Sequence, residues 1–440
     1  MTPQTVLEVD LNTKHILIFL LLWFVFAQIP NVLAQPRNAR LGPNAEVLLV
    51  TIGPGALVWE RFGHNGLWIR DPENGIDQVY HWGLFDFQSD NFWPKFLQGY
   101  MDYSIGSVDS PSFFQFTMQS DRDIWLQEIN LNADQKNALL AFLEKNDSEG
   151  HRIYRYDYYL DNCSTRARDA LDHVLGGVIK KASEDKGSGK TFRSNTRRLL
   201  QNIPLAYFGI HLGLGHPADD EISIWKDMFT PMSLRRHLNE IKLLDGQSLV
   251  RSDKFIFNST KTKEPEQIKS YLSFYLPLSA SFGVFFAFLG YLTVVKRRLA
   301  RLFLALFGIL WSLVSGLLGT IILIVWFLTE HRFGHWNENI LQFNPLSLVL
   351  LGYFLIFLIR GRLPQMGIKL LYAVTGLSLL GLVMQIIPVF DQVNGELIAL
   401  ALPAHLGLLW AVRTSEHLIS NNNLKKPLIK SGEKPIVAGQ

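Results

Sequence analysis

Five apolar runs in the last third of the chain constrain its fold more than any other feature. They cover residues 271–295, 302–328, 345–359, 370–387 and 397–412. A bilayer core takes roughly 17–25 apolar residues as a helix. The first two runs exceed that, the third is short, and the last two are near the limit. A buried helix of a soluble protein accounts for any one of them. Five in succession, separated by short polar loops, predict a membrane domain. Basic residues set its orientation. Lys296, Arg297, Arg298 and Arg301 fill the first loop, and Arg360, Arg362 and Lys369 fill the third. Arg413, Lys425, Lys426, Lys430 and Lys434 follow the fifth helix. Those segments are expected in the cytoplasm. The loops 329–344 and 388–396, and everything before Tyr271, are expected on the other side.

The N-terminus agrees. Lys14 and His15 precede an apolar run over 16–26, and Val32-Leu33-Ala34 is followed by Gln35. Small residues at those places resemble a signal-peptidase site, so 1–34 reads as a cleaved signal peptide. Glu8 and Asp10 upstream of Lys14 depart from the usual charged start and leave a retained anchor as the alternative. The expected organisation is a signal peptide (1–34), an extracytoplasmic domain (35–265), a five-helix membrane domain (266–414) and a basic cytoplasmic tail (415–440). With 440 residues and a net charge of only +3, and without a basic-aromatic motif, the chain is not expected to bind nucleic acid.

Strand and helix signals alternate in the extracytoplasmic domain, which predicts an α+β fold. Branched residues predict strands over 46–52 and 64–70, and a third over 78–85. The segment 71–75, Asp-Pro-Glu-Asn-Gly, is a turn between the last two. Residues 54–63 read as a loop or short helix. Apolar spacing predicts helices over 133–145 and 164–175, the second ended by Gly176-Gly177. Residues 153–160 read as a strand or extended loop, 180–190 as an exposed loop, and 252–269 as a linker to the membrane part.

Cys163 is the sole cysteine. Outside the cytoplasm cysteines usually pair, so a lone one is either incidental or kept as a thiol for chemistry. It immediately precedes a predicted helix. A helix N-terminus offers unpaired N–H groups and partial positive charge, which lower a thiol pKa and can hold an oxyanion. A thiolate nucleophile needs a base. His64, flanked by Gly63 and Gly66 at a strand start, is the candidate; an ordinary packed histidine is the alternative. The turn at 71–75 folds His81 back beside it, where a polar side chain could orient the His64 ring. Asp86 is the fallback for that role. His151, His173, His211, His216 and His237 read as ordinary surface or structural residues.

Phe62-Gly63-His64-Asn65-Gly66, Tyr80-His81-Trp82-Gly83-Leu84-Phe85-Asp86-Phe87, Asn91-Phe92 and Asp161-Asn162-Cys163-Ser164-Thr165-Arg166 stand in this order before the apolar tail. The outside loop adds His331-Arg332-Phe333-Gly334-His335-Trp336-Asn337-Glu338-Asn339 and then Asn344-Pro345. From about residue 45 to 413 the chain resembles the bacterial lipoprotein N-acyltransferases of the Lnb type. The order of histidine before cysteine also resembles the circularly permuted papain-like fold of NlpC/P60 peptidases and lecithin:retinol-type acyltransferases. The resemblance implies Cys163 as nucleophile, His64 as base and His81 as the third residue, where an asparagine is commoner. It implies substrate-binding or orienting roles for Asn65, Asp86, Asp161, Asn162, Arg166, His331, Asn337 and Asn339. It further implies a multi-pass protein of the bacterial inner membrane with its thiol domain in the periplasm. The implied reaction moves an acyl chain from a membrane phospholipid, through a thioester, to the N-terminal amine of a diacylated lipoprotein. No cofactor or metal is required.

Several features carry two readings. The aromatic run from Phe85 to Tyr103 forms domain core, or an acyl groove or bilayer contact. Arg166 and Arg168 face solvent, or meet a lipid phosphate. His331 and His335, four apart, pack under the thiol domain, or bind a metal. The rival functions are a cysteine hydrolase, either a cell-wall peptidase or a phospholipase, and a receptor or transporter with a structural Cys163. Few charges interrupt the apolar runs, so no ion path is evident.

Overall fold

The computed structural model describes residues 40–85, 91–295 and 298–424, and side chains as far as 416. The leader, Asp86, Lys296, Arg297 and residues 425–440 lie outside the described residues. Period-two alternation builds the first strands. In β1 (Glu46–Ile52) Val47 and Leu49 face one core cluster while Val50 and Ile52 face another. β2 (His64–Asp71) and β3 (Ile76–Leu84) form the expected hairpin around 71–75, with Gly66 opposite His81. Next come α1 (Phe92–Gln98), β4 (Asp102–Asp109), α2 (Ser110–Gln119), β5 (Ile124–Ile129), α3 (Ala133–Asn146) and β6 (Ile153–Arg155). The strands form an antiparallel sheet ordered β6-β4-β3-β2-β1-β5-β9, with β9 at Val250–Phe257. α3 and α4 (Cys163–Val174) cover one face through Leu139, Leu140, Leu143, Ala167, Ala170 and Leu171. Phe113 of α2 covers the other.

Two expectations fail for one reason. Residues 180–190 are not a loop: they carry most of α5 (Val178–Ser183) and β7 (Gly187–Thr191). Asp172 Oδ1 accepts the N–H groups of Ile179 (2.8 Å) and Lys180 (3.0 Å), and β7 pairs with β8 (Glu221–Ser223). The start of the expected linker is β9, the edge strand beside β5. An exposed edge strand is normally charged, so β9 looks like a linker when read alone. Between β7 and β9 lie α6 (Phe192–Leu200), α7 (Pro204–Gly213), α8 (Ile224–Asp227) and α9 (Pro231–Glu240).

Among the described residues five helices are long and apolar enough to cross a membrane. They belong to α10 (Leu272–Val294), α11 (Arg298–Leu328), α12 (Leu346–Arg360), α13 (Gln365–Met384) and α14 (Gly395–Leu424). The short third run reaches spanning length because a 3-10 turn, Glu338–Leu341, extends it to a 23-residue segment, Glu338–Arg360. α10 and α14 pack with backbones touching: a Cβ on Gly407 would lie 2.3 Å from Gly283 O, and one on Gly290 2.5 Å from the Cα of Ala411. Small residues permit such close approach in a bilayer.

Glu396, in the first turn of α14, joins the helices to the sheet domain. Its carboxylate accepts from Arg197 Nη2 (2.6 Å), Tyr207 Oη (2.8 Å), Ser270 Oγ (3.0 Å) and Tyr271 N (2.9 Å). Glu396 and Arg197 are both largely buried. Removing one partner of a buried ion pair strands the other and costs on the order of 3–5 kcal/mol. Glu396→Ala is therefore expected to lower the thermal unfolding midpoint of the purified protein in detergent, with Glu396→Gln falling between it and the unaltered chain. An unchanged midpoint for the alanine variant would remove Glu396 from this role.

Candidate active site

The sequence Asn162-Cys163-Ser164-Thr165 starts α4 through a reciprocal cap. Asn162 Oδ1 accepts the N–H groups of Ser164 (2.8 Å) and Thr165 (3.0 Å), and the Asn162 N–H donates to Thr165 Oγ1 (2.7 Å). Asn162 Nδ2 donates to Tyr158 O and Phe229 O, each at 3.0 Å. Cys163 is thus the first residue of the helix. A buried polar chain presses that helix end against the sheet. The Ser164 hydroxyl lies 2.8 Å from Met228 O and 2.9 Å from Asn65 Oδ1, and Asn65 Nδ2 donates to Thr51 Oγ1 (2.9 Å) and Val50 O (3.2 Å). The Cys163 sulfur accordingly meets the backbone N–H of Asn65, the neighbour of His64, together with those of Ser164 and Cys163 itself.

Two glycines shape the surroundings. Gly63, at φ +84°, has no room for a side chain, since a Cβ would lie 2.7 Å from Ile52 O. It makes the sharp lead into β2 that places His64. Gly83, at φ +88°, sits at the register shift between Trp82 and Leu84, where a Cβ would lie 3.9 Å from the Cys163 Cβ. A side chain there would come into contact with Cys163 and Tyr156.

His64 and His81 project from one face of the β2–β3 hairpin as diagonal neighbours. His64 Nε2 lies 3.0 Å from His81 Nδ1, with the rings nearly perpendicular at 84°. Phe113 approaches the His81 ring edge-on, with centroids 5.3 Å apart. Burial pushes His81 down to about 4. Burial, then His81 and Arg122, hold His64 well below the usual imidazole value. Both rings are neutral near pH 7.

The thiol departs from expectation. Its place at a helix start predicts a lowered pKa, yet burial raises it above its ordinary value, outweighing the three N–H groups and the Arg122 charge. At rest the thiol and the His64 imidazole are each neutral. Arg122 was not found from sequence. It is buried, its Nε donates to Gly53 O (3.0 Å), and its Nη1 lies 4.0 Å from Glu60. Its charge acts on both His64 and Cys163. It follows a tight bend at Asp121 and carries no motif that marks it.

Other expected residues make contacts within the protein. Asp161 forms a two-pronged ion pair with Arg166, whose guanidinium also lies 4.2 Å from the centre of the Tyr154 ring. Arg168 donates to Trp225 O (2.6 Å) and stacks on the Trp225 ring. Arg168 is buried, and Arg166 stays about a third exposed. Asn337 and Asn339 are fully buried and donate to carbonyls at the end of α7, among them Leu212 O at 2.9 and 3.0 Å. They hold the loop after α11 beneath the sheet domain. His331 Nε2 lies 3.1 Å from Phe96 O, and His335 Nε2 lies 3.3 Å from Thr329 O. Among the described residues no three His, Cys, Asp or Glu side chains converge as metal ligands. Asp86 lies outside the described residues.

A thiol whose pKa exceeds the ordinary 9.0 has little thiolate at neutral pH. Alkylation of Cys163 by iodoacetamide is expected to keep rising past pH 9, because only the thiolate reacts. A rate already level below pH 7 would show a preformed thiolate and refute the neutral pair.

Two family models match the chain. The Lnb N-terminal periplasmic domain covers residues 38–202, which include His64, His81 and Cys163. The Lnb transmembrane domain covers residues 269–401, which include His331, Asn337 and Asn339. No curated protein and no solved structure matches. Together the two models span about two thirds of the chain, in the order expected from its motifs. The chain belongs to the Lnb family, as a multi-pass membrane protein with a periplasmic N-terminal domain.

Proposed function

We propose that this protein is a thiol-dependent N-acyltransferase of lipoprotein maturation. Cys163 carries a fatty acyl group from a phospholipid to the N-terminal amine of a diacylglyceryl-cysteine lipoprotein. The observation that carries the reading is a lone thiol at a helix start, against the strand of a His64–His81 pair, in a domain tied to membrane helices. Membership of the Lnb family, whose domains point to lipoprotein maturation, supports it. The cysteine helix packed on a sheet whose histidine strand comes earlier in the chain supports a permuted papain-like domain. The basic loops support a cytoplasmic C-terminus and placement in the inner membrane.

The chemistry follows from the neutral pair. His81 Nδ1 accepts the Nε2–H of His64, which leaves His64 Nδ1 unprotonated as the base. As sulfur attacks the ester carbonyl carbon, His64 takes the thiol proton. The Cys163 backbone N–H, which the Asn162 side chain does not engage, faces the developing oxyanion. Collapse breaks the ester C–O bond. The glycerol oxygen leaves with the proton from His64, giving a lysophospholipid and an acyl-Cys163 thioester. The lipoprotein amine then attacks the thioester carbon. Its proton passes through His64 to the departing sulfur, an amide forms, and the thiol returns. An α-amino group of pKa about 8 is partly neutral near pH 7 and ready to attack.

Incubation with phospholipid is expected to add one acyl mass to the intact protein, located on Cys163 and absent from Cys163→Ala. His64→Ala is expected to slow adduct formation by about 10²–10⁴-fold, the usual worth of a general base. His81→Asn, whose amide oxygen accepts the same N–H, is expected to retain more activity than His81→Leu. Addition of a diacylated lipopeptide should then discharge the adduct and add that acyl mass to its N-terminal amine. Release of free fatty acid with no gain on the peptide would identify a hydrolase and overturn the transferase reading.

A further inference from the structure

The short helix α1 presents apolar side chains outward. Trp93 and Leu97 are 59 % and 67 % exposed, and Phe96 is exposed beside them. In a water-facing helix such a cluster is costly. Its position explains it. The Glu330 N–H donates to Gln98 O at 2.8 Å, His331 Nε2 lies 3.1 Å from Phe96 O, and Tyr100 Oη lies 3.4 Å from Glu330 Oε1. The backbones touch, since a Cβ on Gly99 would lie 3.1 Å from the Glu330 carbonyl carbon. Glu330 comes two residues after Leu328, where the membrane-spanning α11 ends with Phe327 and Leu328 exposed. α1 therefore stands level with the outer end of a membrane helix, where a bilayer meets water and aromatic rings are favoured.

A series of rings leads from there to the sulfur. Phe96 stacks on Phe92 (centroids 6.0 Å apart), Phe92 on Phe85 (6.2 Å), Phe85 meets Tyr103 (5.1 Å), and Tyr103 stacks on Tyr156 (4.2 Å). Tyr156 flanks Cys163 across Gly83. At the α1 end a small pocket is lined by Phe92, Lys95, Phe96, Tyr100, Met101 and Asp102. Lys95 and Asp102 pair at 2.9 Å, polar groups beside an apolar floor.

We propose that α1 is embedded in the bilayer leaflet facing the periplasm, and that its rings guide the acyl chain of a phospholipid from that leaflet to Cys163. The embedding stands by itself; the guiding rests on the acyl-transfer reading. The single cysteine makes the embedding measurable. In full-length Cys163→Ser protein in phospholipid nanodiscs, a nitroxide is attached to Leu97→Cys, or to Glu73→Cys at the far end of the β2–β3 hairpin. The label at 97 is expected to be relaxed more by oxygen than by a water-soluble nickel chelate, and the label at 73 the reverse. A label at 97 that follows the nickel chelate as at 73 overturns the embedding, whatever reaction Cys163 performs. With Cys163 retained, Leu97→Asp is expected to slow acyl adduct formation from bilayer phospholipid by about tenfold, the scale of one leucine's transfer from lipid to water. An unchanged rate beside a lipid-facing label overturns the guiding role. Absence of any adduct in the unaltered protein refutes acyl transfer and leaves the embedding standing.

Discussion

One carboxylate connects two kinds of structure that follow different physical rules. Glu396 opens a helix of the membrane domain and gathers a buried arginine, a tyrosine hydroxyl, a serine hydroxyl and a backbone N–H around itself. A negative group in a first helical turn is stabilised by the helix dipole, and the surrounding donors satisfy its oxygens. The loop after α11 adds a second tie: the Gly215 N–H donates to Phe333 O at 2.7 Å, and Arg332 pairs with Asp157. Asp157 lies six residues before Cys163. The ties therefore fix the height of the cysteine relative to the helix ends.

Within the domain, position is set by neutral hydrogen bonds rather than by charge. Asn162, Ser164 and Asn65 form an unbroken path from the start of α4 to β1, and all three side chains are buried. Buried polar groups that satisfy one another rigidify a site. The histidines follow the same pattern, two neutral rings joined by a hydrogen bond, with Phe113 against the His81 ring. Arg122 both opposes protonation of His64 and favours ionisation of the thiol.

Features encoded by near neighbours could be read from the sequence. The turn at 71–75 sets the β2–β3 hairpin, and the hairpin brings His64 and His81 together. Asn162-Cys163-Ser164-Thr165 carries its own cap, so the place of Cys163 at a helix start was visible. The membrane spans announce themselves by five apolar runs in succession, although the third falls short by itself. Features that depend on distant partners were hidden. β9 is a strand because β5 lies beside it, and α5 is held by Asp172. Arg122 reaches the site only because β5 brings it alongside the end of β1. Asn337 and Asn339 stand in a motif, yet their hydrogen bonds support α7. The direction of the thiol shift depends on how much protein surrounds the sulfur, which helix position alone does not reveal.

The protonated state of Cys163 has a consequence for its chemical survival. Peroxides and disulfides react with thiolates rather than thiols, and the periplasm is kept oxidising. A cysteine that ionised readily there would be consumed by adventitious oxidation, and this chain has no second cysteine to rescue it through a reversible internal bond. Because its surroundings hold the proton on sulfur, the group presents little thiolate to such oxidants.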